Sequence, residues 1–166
     1  MNKKPLKVAG IFSLIIGALF LITGVGVWGV VSSQLAAERI TVPPDAAFLA
    51  GDTVDGPLSA LAQADIINHH AMTGSGGKTY AELGAESQAA AAAGDTALAE
   101  ELSQQRATVM TSSFLRASLF TSVLSFGVCL FAMGVGVVLL VIGWAFVKVS
   151  GSIPAEATAE AAKADS

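Results

Sequence analysis

The residues that invite a chemical reading first are Gly74-Ser75-Gly76-Gly77-Lys78-Thr79. A phosphate loop has the spacing G-x-x-x-x-G-K-[ST]: its backbone amides wrap a phosphate, its lysine reaches the outer phosphates and its hydroxyl holds magnesium. Gly77, Lys78 and Thr79 fit the end of that pattern, but its first glycine should stand at position 72, which is Met72. No buried strand is expected ahead of it. A helix stop followed by a flexible turn is the expected reading, with nucleotide binding as the alternative. His69 and His70 are the two histidines of the chain. Neighbours on a helix point ~100° apart, so the pair does not converge on one metal. Asp65 and His69 are four residues apart and share a helix face, which suits a hydrogen-bonded pair or a two-ligand metal site. A catalytic zinc or iron centre needs about three protein ligands and an open position. The chain has one cysteine, Cys129, inside an apolar run, and its serines lack the company of a triad. No catalytic residue, cofactor or metal is assigned on these grounds. Asp65, His69, Lys78 and Tyr80 are kept as the lining of a possible ligand site.

The elements that must position these residues are dominated by two uncharged apolar stretches. Val8 to Val31 covers 24 residues and Ala117 to Val147 covers 31. A helix rises ~1.5 Å per residue and the hydrocarbon core is ~30 Å thick, so about 20 apolar residues suffice to cross it. The first stretch holds 14 Val, Ile, Leu or Phe residues and the second 17, enough to favour insertion despite their glycines. Only 13% of the chain is charged, against the roughly 25% of a soluble domain. The first stretch has the basic start of a signal peptide. It is longer than a signal core, however, and Val31-Ser32-Ser33-Gln34-Leu35 follows it without a small-x-small cleavage site. It is therefore expected to stay as an anchor.

The expected organisation is an all-α membrane protein of two antiparallel spans with a small, mostly helical extracytoplasmic segment. Residues 1–7 form a basic cytoplasmic tail, 8–31 span one, 32–116 the extracytoplasmic segment, 117–147 span two, and 148–166 a cytoplasmic tail. Lys3, Lys4, Lys7 and Lys148 flank one side of the spans, and Arg39, Arg106 and Arg116 the other. The excess of basic residues places both termini in the cytoplasm of a cell with the protein in its cytoplasmic membrane. Trp28 and Trp144 suit interfacial positions. The middle segment carries ten acids against four bases and offers no basic patch, so nucleic acid is not an expected partner. The bilayer is, with other membrane helices or a second copy as further candidates.

Within the middle segment, Ile40 to Val42 has strand-like composition and Pro43-Pro44 stops it. A helix over about 57–72 is expected behind Asp55 as cap, with Leu58, Leu61, Ala62, Ile66 and Met72 on its apolar face. Tyr80 to Ala93 is helix-prone, Gly94-Asp95 is a break with a cap, and a helix from Thr96 to about 116 should run on into span two. Lipid tails are as apolar as leucine, so spans associate through close backbone approach at small residues. Span two offers Ser118, Ser122, Ser125, Cys129, Ala132, Gly136 and Gly143, in steps of three, four and seven; span one offers Gly10, Ser13, Gly17 and Gly24. An antiparallel pair packed seam to seam is expected. Gly17-x6-Gly24-Val25-Gly26-Val27 also matches Gly127-x6-Gly134-Val135-Gly136-Val137, either a faint repeat or chance in a Gly/Val-rich alphabet. Neither span carries an ionisable side chain other than the Cys129 thiol, which argues against a pump or an ion-coupled carrier. Phe114, Leu115 and Arg116 stand where span two begins and are candidate partner contacts.

The basic start with span one, the run Asp55-Gly56-Pro57, the segment Gly77-Lys78-Thr79-Tyr80-Ala81-Glu82-Leu83 and the stretch from Val109 to Phe120 together resemble a family of small bacterial membrane proteins. These carry the name aromatic ring-opening dioxygenase LigA. The resemblance covers most of the chain apart from the alanine-rich stretch near 85–105, and it brings no catalytic residues with it. The name implies extradiol ring opening, which uses a non-haem iron held by two histidines and a carboxylate. The residue reading favours instead a structural or accessory membrane subunit, with a ligand- or metal-sensing module as its alternative.

Overall fold

A computed structural model describes residues 3–152. Four helices follow one another: α1 (Lys3–Ala37), α2 (Pro57–Gly74), α3 (Tyr80–Ala92) and α4 (Thr96–Ser152). Among the described residues there is no strand, only one antiparallel bridge between Thr41 and Thr53. Helices α1 and α4 are each long and apolar enough to cross a membrane. The expected tails, 1–7 and 148–166, are corrected where they are described: residues 3–7 belong to α1 and 148–152 to α4, the long helices running past the uncharged stretches, and the remainder lies outside the described residues. The chain forms two compact units, one of residues up to Gly29 and from Gly127 on, the other of Val30–Phe126.

In the first unit, α1 and α4 meet along glycines. A Cβ added to Gly10 would stand 2.9 Å from the Gly143 carbonyl oxygen, and one added to Gly17 2.7 Å from that of Gly136. One added to Gly24 would stand 3.1 Å from the Cys129 carbonyl oxygen and 2.6 Å from Met133 Cγ. Each step of seven up α1 is matched by a step of seven down α4, the register of an antiparallel heptad pair. With hydrogen in place of a side chain, the two backbones approach to van der Waals contact. Ser13 adds a hydrogen bond across the seam, its Oγ donating to the Leu139 carbonyl at 2.8 Å. Away from the seam, the apolar side chains of both helices are uncovered, among them Phe12, Ile22, Leu130 and Phe131.

The second unit is built on α2, α3 and the first part of α4. Leu83 of α3 is wholly buried with Ala90, Leu102 and Val109, and Ala99 packs against this cluster. Helix α2 turns Ala60, Ala62, Ala64, Ile66 and Ala71 inward. Of its expected apolar face, Ala62 and Ile66 are buried and Met72 is half-buried, but Leu58 and Leu61 are exposed, at 64% and 37%, and Ser59 and Ala60 between them take the buried positions. Alanines allow a closer approach than leucines, and Pro57 fixes where the first turn begins. The cap is corrected as well. Gly56, not Asp55, is the N-cap. Ser59 Oγ folds back to accept from the backbone amides of Asp55 and Gly56, at 3.2 and 3.1 Å.

The connector between α1 and α2 contains the bridge. Val42 donates to Asp52 O and Val54 donates to Ile40 O, both at 2.9 Å, and Gly51 donates back to Val42 O at 2.9 Å. Ile40–Val42 therefore does adopt extended pairing, and the chain after Pro43-Pro44 loops back to supply the partner. Gly51 at φ +85° makes that return possible. Val42 and Val54, almost fully buried, seal the loop.

Candidate functional site

The glycine-rich run is a corner between α2 and α3. Ser75 N donates to Ala71 O at 3.0 Å, Gly76 N to Thr73 O at 3.2 Å and Gly77 N to Met72 O at 2.7 Å. These bonds close the end of α2, and Gly76 and Gly77 reach them at φ +62° and +81°. Lys78 N donates to Ser75 O, and the buried Ser75 hydroxyl donates to Lys78 O at 2.8 Å. Thr79 then caps α3. Its Oγ1 accepts from Glu82 N at 3.4 Å, and its own amide donates to Glu82 Oε2 at 2.8 Å, a reciprocal capping box. Every amide from Ser75 to Thr79 thus has an acceptor inside the chain, and Lys78 is paired with Glu86. A phosphate cradle needs those amides free. The Thr79 backbone amide holds the Glu82 carboxyl below its usual range, with the Thr79 hydroxyl adding to the effect.

The structure does not gather Asp65, His69, Lys78 and Tyr80 into one lining. Asp65 and His69 are exposed on α2, and no hydrogen bond joins them. The histidine that finds a carboxylate is His70, whose Nε2 lies 2.7 Å from Asp45 Oδ2. That hydrogen bond is the main reason the Asp45 carboxyl sits below its usual range. Among the described residues, no group of three or more His, Cys, Asp or Glu side chains stands ready to hold a metal. Tyr80 is covered from a different direction. The Arg106 guanidinium lies over its ring, 4.0 Å from the centroid, and a Cβ on Gly84 would come within 3.0 Å of Arg106 Nε. Gly84 is the gap that lets the arginine lie down on α3.

Of the small-residue positions expected to form the seam, Gly10, Gly17, Gly24, Cys129, Gly136 and Gly143 are buried. Ser13 makes the cross-seam hydrogen bond, and Ala132 is half-buried. The three serines nearer the start of the run do otherwise. Ser118 is exposed, and the Ser122 and Ser125 hydroxyls bond back to Ser118 O and Thr121 O on their own helix. In that stretch Leu119 and Phe126 are the buried side chains, Phe126 among the largest fully buried in the chain. Heptad spacing alone could have pointed to Phe126, which lies seven residues before Met133 and seven after Leu119.

Phe114 and Leu115 are exposed, at 63% and 52%. Arg116 is half-buried, and its guanidinium lies 5.7 Å from the Phe120 ring. Arg116 also lines a cleft of about 200 Å³ within the second unit, together with Asn68, Thr79, Tyr80, Ser112 and others from α2 and α4. Sequence spacing gave no sign of it, because its walls come from residues nearly fifty positions apart. Comparison of the chain with protein families, with curated proteins and with solved structures found no match.

Proposed function

We propose that this chain is an integral protein of the cytoplasmic membrane that crosses the bilayer twice, with both termini in the cytoplasm and residues 32–116 on the far side. There it serves as a structural or accessory partner in a membrane complex. The observation that carries this reading is the placement of apolar side chains around α1 and α4. Phe12, Ile22, Leu130 and Phe131 are exposed by 65%, 69%, 63% and 73%. Leaving four such groups in water instead of burying them forgoes ~6–12 kcal/mol, about the whole stability of an ordinary domain. In hydrocarbon they cost nothing, and the glycine seam supplies the close packing that holds spans together there.

An accessory role fits what the reactive side chains do. His70 is engaged by Asp45, Lys78 by Glu86, Thr79 by Glu82 and Arg106 by Tyr80. Exposed Phe114 and Leu115, one turn before the uncharged run, offer a contact for another membrane helix. Solubilisation of native membranes in mild detergent tests the role. The chain should travel with a defined set of proteins, and Phe114→Ala with Leu115→Ala should strip them away while leaving the chain folded. Recovery as a lone monomer would overturn the accessory reading.

A further inference from the structure

We propose that the cleft of the second unit is a phosphate site for an anionic phospholipid, with Arg116 as its charged anchor. The proposal rests on the membrane reading above and deepens it. The middle segment has ten acids and four bases, yet among the described residues neither Arg106 nor Arg116 has a carboxylate partner. The Nε atoms of both are buried and without a hydrogen-bond acceptor. A buried guanidinium N–H left unmatched is costly, so a built site for an acceptor is its natural explanation. Arg116 lines the cleft. Arg106 does not line it; its guanidinium is stacked on the lining residue Tyr80 and its Nε lies against Gly84. One positive charge, that of Arg116, thus stands in the wall of the cleft.

The rest of the lining suits a phosphate oxygen. Ser112 and Asn68, whose side chains make no hydrogen bond among the described residues, line the same cleft. No carboxylate lines it. Glu82, hydrogen-bonded to the lining residue Thr79, turns its charge on the Thr79 amide. The remaining acids act through solvent and are screened over ~8 Å at physiological salt. A volume of about 200 Å³ holds a phosphate diester but falls short of the ~300–1,000 Å³ of a site for a whole drug-sized molecule. The remainder of the ligand must leave the cleft. Beside it, sharing Tyr80 and Ser113, runs an apolar trough walled by Met110 and Phe114. A polar pocket for a charged head joined to an apolar track, on the last turn before the uncharged run begins, matches an amphiphile lying at the bilayer edge.

The test uses the full chain in nanodiscs of phosphatidylcholine, alone or with a minority of phosphatidylglycerol, read by native mass spectrometry after gentle release and by thermal melting. Phosphatidylglycerol should be retained about tenfold over phosphatidylcholine, the ratio expected from one charge-assisted hydrogen bond. Arg116→Gln should abolish the preference and Ser112→Ala reduce it, whereas Arg39→Gln, an exposed arginine elsewhere, should leave it intact. Should Arg116→Gln unfold, Arg116→Lys serves, keeping the charge but losing the planar fork. Equal retention of the two lipids, or equal loss in Arg116→Gln and Arg39→Gln, would overturn the proposal. Protection by inorganic phosphate alone, as strong as by the lipid, would overturn the lipid assignment in favour of a solute. A chain that enters the discs but shows no preference refutes the cleft and spares the membrane reading. A chain that stays out of the discs refutes both.

Discussion

The energetics of this molecule turn on which glycines face a neighbour and which do not. Gly17 and Gly136 sit so close that a Cβ on one would stand 2.7 or 2.8 Å from the other's carbonyl oxygen. Backbone cannot yield as a long side chain can, so the helices must part. Gly26, Gly127 and Gly134 lie on the same two helices with nothing within 4 Å of a would-be Cβ. The same substitution should therefore have opposite signs at the two kinds of position. Gly17→Ala and Gly136→Ala should each destabilise the pair by about 1–3 kcal/mol, the usual cost of overpacking. Gly127→Ala and Gly134→Ala should be neutral or stabilise by up to about 1 kcal/mol through helix propensity. Unfolding by denaturing detergent, followed by helical circular dichroism, measures both sets. A uniform response across the four positions would contradict the seam.

At the scale of the element, the start of α3 is decided by four residues. The turn Gly76-Gly77 closes α2 and the Thr79–Glu82 box opens α3. Thr79→Ala removes the cap and should cost about 1 kcal/mol, seen as a lower Tm of the folded chain. Glu82 and Asp45 add a pH dependence of known sign. Both carboxyls are held below their usual range in the folded chain, by the Thr79 amide and by His70. Their contribution is complete above the ordinary carboxylate range and is lost as pH falls below it toward the folded values. Tm should drop on acidification through that window, and Glu82→Gln together with Asp45→Asn should flatten the drop. The helices themselves were legible in the sequence: Pro57 marks the start of α2, Gly94-Asp95 the break before α4, and the apolar runs the two long helices. Faces were less so. In α2 Leu58 and Leu61 are exposed while Ala60, Ala62, Ala64 and Ala71 are buried, the reverse of their rank on hydrophobicity scales. The bridge that buries Val42 with Val54, and the cleft beside Arg116, join residues far apart in sequence. Local periodicity carries no information about such pairings.

For the whole molecule, the decisive quantity is the distribution of charge about the two apolar helices. Lys3, Lys4, Lys7 and Lys148 flank the uncharged runs at one pair of their ends, within the first turns of α1 and the last turns of α4, and the residues between the runs carry ten acids to four bases. Moving that acidic segment across, and keeping the lysines back, is the arrangement that the bias of basic residues toward the cytoplasm favours. The chain has a single cysteine, Cys129, and it is buried. Cys129→Ala thus gives a background on which one reporter thiol can be placed at will, at a cost limited to one small packing residue. Asp65 and Lys4 are both exposed, and neither is one of the seam residues. In intact cells a membrane-impermeant maleimide should label Asp65→Cys and leave Lys4→Cys untouched until the cells are lysed. The reverse pattern would invert the orientation and place the Arg116 cleft in the cytoplasm. Labelling of both before lysis would break the two-span arrangement itself, since an even number of crossings must keep the termini on one side and the segment between them on the other.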